Sequence, residues 1–145
     1  MIYNLYTDAS KKNDYAVMAG VVLGEKNKPL CEFIIKSDSS VATDKLERKA
    51  MFIGLEVALE MGIKDLEVNS DNLNNINIFL GKNKNPKEKI SFEEEEIINK
   101  FNSLKFNYIA RNMNLYANAL TNLPYNIEYL GNVMSGYHGI NRAKN

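Results

Sequence analysis

Three acidic residues stand where elements of the chain begin or end. Asp8 closes a β-rich run at residues 2–8, and Asp71 closes a short run at residues 66–70. Glu47 falls in the first turn of the strongest helical pattern in the chain, on one stripe with Ala50, Met51 and Gly54. Gly54 would let that stripe approach a sheet closely, so Glu47 is placed toward the core. A carboxylate there is costly unless it is paired or binds a metal. If strands one and four lie side by side and parallel, Asp8 and Asp71 emerge at the same sheet edge. That is the edge where open α/β sheets bind ligands. Three converging carboxylates repel one another, and a hard divalent cation such as Mg²⁺ resolves the repulsion. Two such ions about 4 Å apart would clamp the attacking water and the leaving oxygen of a phosphodiester.

The elements that must position these residues follow from hydropathy patterning. Residues 2–8, 16–23 and 29–36 read as strands joined by two polar turns, hence an antiparallel meander. Residues 16–23 are apolar almost throughout, as for a strand buried on both faces. Pro29 suggests that the third strand lies at an edge. Apolar residues at Leu46, Ala50, Met51, Leu55, Ala58 and Leu59 predict a helix over 44–61, with Gly62 just past its end. A strand at 66–70, a helix at 72–80, a helix capped by Ser91, a strand at 106–110 and a helix at 114–123 complete the order βββαβα(α)βα. A helix between two strands implies a parallel crossover, so the sheet is expected to be mixed.

The chain has 145 residues with 18 basic and 18 acidic, which gives one ordinary domain with no net charge. Bulk electrostatic capture of nucleic acid or an anionic membrane is not expected, so any such contact must use a local patch. A single cysteine, Cys31, reads as a small strand hydrophobe and fits a reducing compartment. No secretory pattern opens the chain and no apolar run spans a membrane, so a cytoplasmic location is expected. Asparagine is frequent, at 21 residues, and this bears on position 118.

The run Leu5-Tyr-Thr-Asp8-Ala-Ser10 resembles the first strand of type 1 ribonuclease H, usually Thr-Asp-Gly-Ser. The stretch from Leu46 through Glu47, Ala50, Gly54 and Leu55 to Val68 and Asp71 is similar to that family's long helix and following strand. Arg111-Asn-Met-Asn114-Leu-Tyr-Ala117-Asn118-Ala-Leu120 resembles its closing helix. The resemblance covers residues 1 to about 123. It implies a ribonuclease H-like α/β fold with a five-stranded mixed sheet in the order 3-2-1-4-5, flanked by helices. The domain would span residues 1–124, with residues 125–145 a tail of unknown structure.

The resemblance further implies Mg²⁺-dependent hydrolysis, with Mn²⁺ as a substitute, of the RNA strand of an RNA–DNA hybrid. The products would be a 5′-phosphate and a 3′-hydroxyl. Asp8, Glu47 and Asp71 match the metal-binding carboxylates. Asn118 stands where the family usually has a fourth aspartate; an amide there is a weaker oxygen ligand that offsets no charge. Ser10, Asn72, Arg111 and Asn114 are the candidate substrate contacts, with Ser10, Glu47 and Asn72 placed to read the 2′-hydroxyl that marks RNA; Arg111 and Asn114 read equally as contacts to backbone phosphate or as residues that hold the last helix. The alternative is a catalytically weakened module that binds nucleic acid or a protein partner. The family's glycine-rich turn after the first strand is replaced by Lys11-Lys-Asn-Asp14, and no histidine lies in residues 110–114. His138, the single histidine, reads as a surface residue, with a proton shuttle as the alternative. Glu93 to Glu96 read as a solvated helical turn, and the lysines of residues 82–89 as a solvated loop or a phosphate-contacting patch. No oligomeric state follows from the sequence.

Overall fold

A computed structural model describes residues 2–83, 88–123 and 138–141. Its elements are β1 (Tyr3–Lys11), β2 (Ala16–Leu23), β3 (Pro29–Ser37), α1 (Thr43–Glu60), β4 (Asp65–Ser70), α2 (Leu73–Phe79), α3 (Phe92–Ile98), β5 (Ser103–Tyr108), α4 (Leu115–Thr121) and β6 (His138–Asn141). The sheet order is β5-β4-β1-β2-β3-β6. The five expected strands therefore stand as 3-2-1-4-5, with β1, β2 and β3 antiparallel and β4 and β5 parallel to β1. From the tail, residues 138–141 pair antiparallel with β3 over Cys31 to Ile34, so β3 is not an edge strand.

Alternation along the strands divides two cores. Leu5, Met18, Val22 and Phe33 face α1, together with Leu46, Met51 and Leu55 from the helix. Val17, Ala19 and Val21 face the opposite way, against Leu120 of α4. β2 is accordingly buried on both faces, which explains its uninterrupted apolar run. Gly54 is the point of closest approach of α1, since a Cβ there would lie 2.5 Å from Leu5 Cδ2. Past the end of α1, Gly62 adopts φ +82°, and the Ile63 N–H reaches back to the Ala58 carbonyl at 3.0 Å. Glycine takes that conformation without steric cost.

β5 begins earlier than hydropathy predicts and ends earlier too. It is an edge strand, so Ser103 and Lys105 remain exposed while their backbone pairs with Asp65 and Glu67. Exposure on one face removes the apolar signal that would mark them as strand residues. No helix among the described residues is long and apolar enough to cross a membrane.

Ser91 caps α3 as expected. Its hydroxyl accepts from the Glu94 N–H at 3.1 Å, and the Glu94 carboxylate accepts from the Ser91 N–H at 2.8 Å. Glu94 is not merely solvated, however. Arg48 of α1 grips it with two guanidinium nitrogens, Nε at 2.8 Å and Nη2. Burial alone would raise the Glu94 pKa, but Arg48 and the Ser91 N–H overcome it and hold the carboxyl below its ordinary value. Glu94→Ala removes both the reciprocal cap and the tie between α1 and α3. It is expected to cost about 1–2 kcal/mol, read as a lower urea midpoint, with the loss confined to pH values where the carboxylate is ionised.

Candidate metal centre

The register of the sheet brings the acidic residues together. Tyr6 pairs with Asn69 across β1 and β4, so two residues further on Asp8 stands opposite Asp71. Side chains alternate along β1: Leu5 and Ala9 join the α1 core, which sends Asp8 to the α4 face. Glu47 reaches the same sheet edge from α1, one turn into the helix. One oxygen from each of Asp8, Glu47 and Asp71 lies within 4.8 Å of the others. Asp8 is buried, and Glu47 and Asp71 are half-buried.

The cluster lies in an open cleft of about 340 Å³ that Ser10, Asn72, Arg111 and Asn118 also line. Asn118 Nδ2 donates to Asp8 Oδ2 at 3.2 Å. The Asn72 amide donates to Glu47 and, at 3.0 Å, to Asp44 Oδ1. Its oxygen accepts from the Asn75 N–H at 2.9 Å, capping α2. Asn72 is thus clamped on three sides before any ligand arrives.

Asn114 takes the second of its two expected places, holding the last helix rather than touching substrate. It has no exposed surface, and its Nδ2 donates to the Thr7 carbonyl at 2.9 Å. It therefore fastens the start of α4 to β1 beside Asp8, and its place is structural rather than at the cleft surface. Its Oδ1 is buried without a hydrogen-bond partner among the described residues. Asn122 and Thr43 line the cleft without having been expected there. Spacing offered a signal for Asn122, four residues after Asn118 on one helix face. Thr43, polar and at the start of α1, gave none. The side chain of His138 and residues 84–87 of the lysine run lie outside the described residues.

The electrostatics of the cluster favour an added positive charge. Burial, and to a lesser degree Asp71, raise the Asp8 pKa against the opposing pull of Asn118, the Ala9 backbone and Arg111. Glu47 is pushed up to about 7, first by burial and then by Asp8, Asp71 and Asp44, with the Asn72 amide pulling the other way. The donor set is all oxygen, with no thiolate or imidazole, which suits a hard divalent cation such as Mg²⁺ or Mn²⁺.

This has a thermodynamic consequence. A carboxyl whose folded pKa is raised keeps its proton in the folded state while the unfolded chain releases it. Without metal, the Glu47 contribution to stability is therefore present below about pH 4.5 and is lost as pH rises to about 7. A divalent cation should raise Tm, and more at pH 8 than at pH 5.5, because protons compete with it at the lower pH. Calorimetry of wild type and Glu47→Gln, with chelator and with millimolar Mg²⁺, checks both slopes. An equal Mg²⁺ effect at the two pH values would contradict the arrangement.

Residues 6–123 match the family model described as reverse transcriptase-like. The chain belongs to this family. Its domain is ribonuclease H-like, and solved structures agree in fold. Ribonuclease H1 from the halophilic archaeon Halobacterium salinarum NRC-1 superposes with a TM-score of 0.71 at 19% identity, covering 84% of this chain and 96% of that one. The N-terminal ribonuclease H domain of a Mycobacterium tuberculosis protein gives 0.70 at 18% identity, with 83% and 91% covered. LC11 ribonuclease H1, solved in complex with an RNA/DNA hybrid, gives 0.70 at 24% identity, with 83% and 94% covered. No curated protein matches the chain significantly in sequence. The ribonuclease H-like domain thus keeps its fold and its acidic cluster together, with an amide at position 118.

Proposed function

We propose that this ribonuclease H-like domain is a metal-dependent endonuclease that hydrolyses the RNA strand of RNA–DNA hybrids. The observation that carries the reading is the meeting of Asp8, Glu47 and Asp71 within 4.8 Å, in an open cleft at the sheet edge. Asp8, Glu47 and Asp71 would hold Mg²⁺ or Mn²⁺. When bound, such an ion supplies an activated water and stabilises charge on the leaving oxygen. Arg111 brings the one fixed positive charge among the cleft-lining residues, and it would draw a backbone phosphate toward the carboxylates. The Ser10 hydroxyl lines the cleft and suits a 2′-hydroxyl, and Asn72, with both N–H donors on Asp44 and Glu47, adds the remaining acceptor site of its amide oxygen. With no net charge on the chain, binding rests on this local patch, and with one fixed cation in the cleft it should weaken only gently with salt. Support also comes from the fold shared with LC11 ribonuclease H1, which binds an RNA/DNA hybrid. The lone, buried thiol of Cys31 fits work in a reducing compartment such as the cytoplasm.

The second reading, a weakened module that binds nucleic acid or a protein, is favoured by one observation. Asn118 turns a neutral N–H donor toward Asp8, where a carboxylate would add charge. Cleavage of an end-labelled hybrid in Mg²⁺ or Mn²⁺ separates the two. The nuclease reading expects cuts in the RNA strand that leave 5′-phosphate and 3′-hydroxyl ends, and none in duplex DNA. An inert wild type whose Asn118→Asp variant cleaves supports the second reading. Inertness of both counts against a nuclease.

A further inference from the structure

Glu47 reaches the acidic cluster on the longest of the three side chains, with one more torsion to fix than an aspartate has. Among the described residues its carboxylate has one hydrogen-bond partner, the amide of Asn72. That amide is itself immobilised. Its oxygen accepts from the Asn75 N–H at 2.9 Å and caps α2. Its nitrogen carries two hydrogens, one given to Glu47 and the other to Asp44 Oδ1 at 3.0 Å. Oxygen and nitrogen cannot change places. A turned-over amide would set its oxygen against two carboxylates and its hydrogens against the Asn75 N–H. The main chain is fixed as well, since the Asn72 N–H donates to Ser70 Oγ at 3.1 Å. Beside it, the buried Asn75 donates its Nδ2 to the Asp44 carbonyl at 3.0 Å. The first turns of α1 and α2 are thereby joined around Asn72. Asp44 and Glu47 stand three residues apart on α1, where like charges repel. Asn72 answers both, and the Glu47 carboxylate, not that of Asp44, converges with Asp8 and Asp71.

We propose that Asn72 is a positioning residue that holds the Glu47 carboxylate in the metal-binding cluster, with Asp44 and the cap of α2 as its anchors. This rests on the metal centre proposed above. The bond occupies one lone-pair direction of Glu47 Oε2 and leaves the others for an ion. Asn72 therefore acts on the ion through Glu47 and is not itself a ligand. Outer partners of this kind change metal affinity by about tenfold or more when lost.

Titration of the full chain with Mn²⁺, read by calorimetry and by the electron-spin-resonance signal of free Mn²⁺, tests this without hybrid and without activity. Asn72→Ser keeps a capping oxygen for the Asn75 N–H. Its side chain ends one bond short of the amide nitrogen, so Glu47 is released while α2 stays capped. The variant should bind Mn²⁺ about tenfold more weakly than wild type. In a Glu47→Ala background, where affinity is already low, the same substitution should change it by less than about twofold, because no carboxylate is left to hold. Wild-type affinity in Asn72→Ser, or an equal fold loss with and without Glu47, would overturn the inference while leaving the metal centre standing. No Mn²⁺ binding by wild type would overturn the metal centre as well.

Discussion

Asp8→Asn is expected to lower hybrid cleavage by roughly 10³-fold and, in the absence of metal, to raise Tm. The first effect follows from removing one of three anionic donors at the centre of the cleft. The second follows from the same burial that makes the site work. The Asp8 pKa is raised, chiefly by burial and then by Asp71, so at pH 7 the ionised carboxylate is held in the folded state at a cost. For an acid with a raised folded pKa, stability falls as pH climbs through the shifted titration. The isosteric amide carries no charge and escapes that loss, and its oxygen can still accept from Asn118. Mg²⁺ should stabilise wild type and close the gap, yet leave the variant unmoved. Cleavage rates with calorimetry in chelator and in Mg²⁺ check all three statements. A variant that melts lower without metal would show that Asp8 is a structural partner instead.

Gly54→Val is expected to destabilise the protein by about 2–3 kcal/mol and to slow cleavage by up to roughly 10²-fold. A Cβ at Gly54 lies 2.5 and 2.7 Å from the two Leu5 methyl carbons, and Leu5 has no exposed surface into which it could move. α1 must shift away from β1. Glu47 lies seven residues earlier on the same helix and Asp8 three residues after Leu5 on the strand, so that shift separates two members of the cluster. The helix preference gained by replacing glycine, about 1 kcal/mol at most, is too small to compensate. Leu5→Ala in the Gly54→Val background opens space and should return part of both losses, a coupling that urea unfolding and kcat measure together. Strict additivity would mean that the two residues do not press on one another.

Much of this was legible in the sequence because strong local signals coincide with the elements that carry the site. The period-2 and period-3.6 patterns around Asp8, Glu47 and Asp71 are uninterrupted, since each flanks a buried element. The stripe Glu47, Ala50, Met51, Gly54 predicts the face of α1 that meets the sheet, and the Leu5 contact bears this out. What was not legible depends on side chains meeting across the fold. The residue type of Asn114 suits a phosphate contact and a hold on the last helix equally well, and only its hydrogen bond to the Thr7 carbonyl decides for the second. Glu94 looks solvated in a run of four glutamates, and only the approach of α1 reveals Arg48 as its partner. Lys12 sits in a polar turn that sequence alone reads as filler, yet its ammonium donates to Asn122, 110 residues away.

The central claim is that Asp8, Glu47 and Asp71 together hold a divalent cation. Anomalous diffraction from crystals grown with Mn²⁺ measures this directly. A Mn²⁺ peak in contact with oxygens from all three carboxylates, absent from crystals of Asp8→Asn, is the result expected. Density at that position from nothing heavier than water, with the three side chains splayed apart, would contradict it.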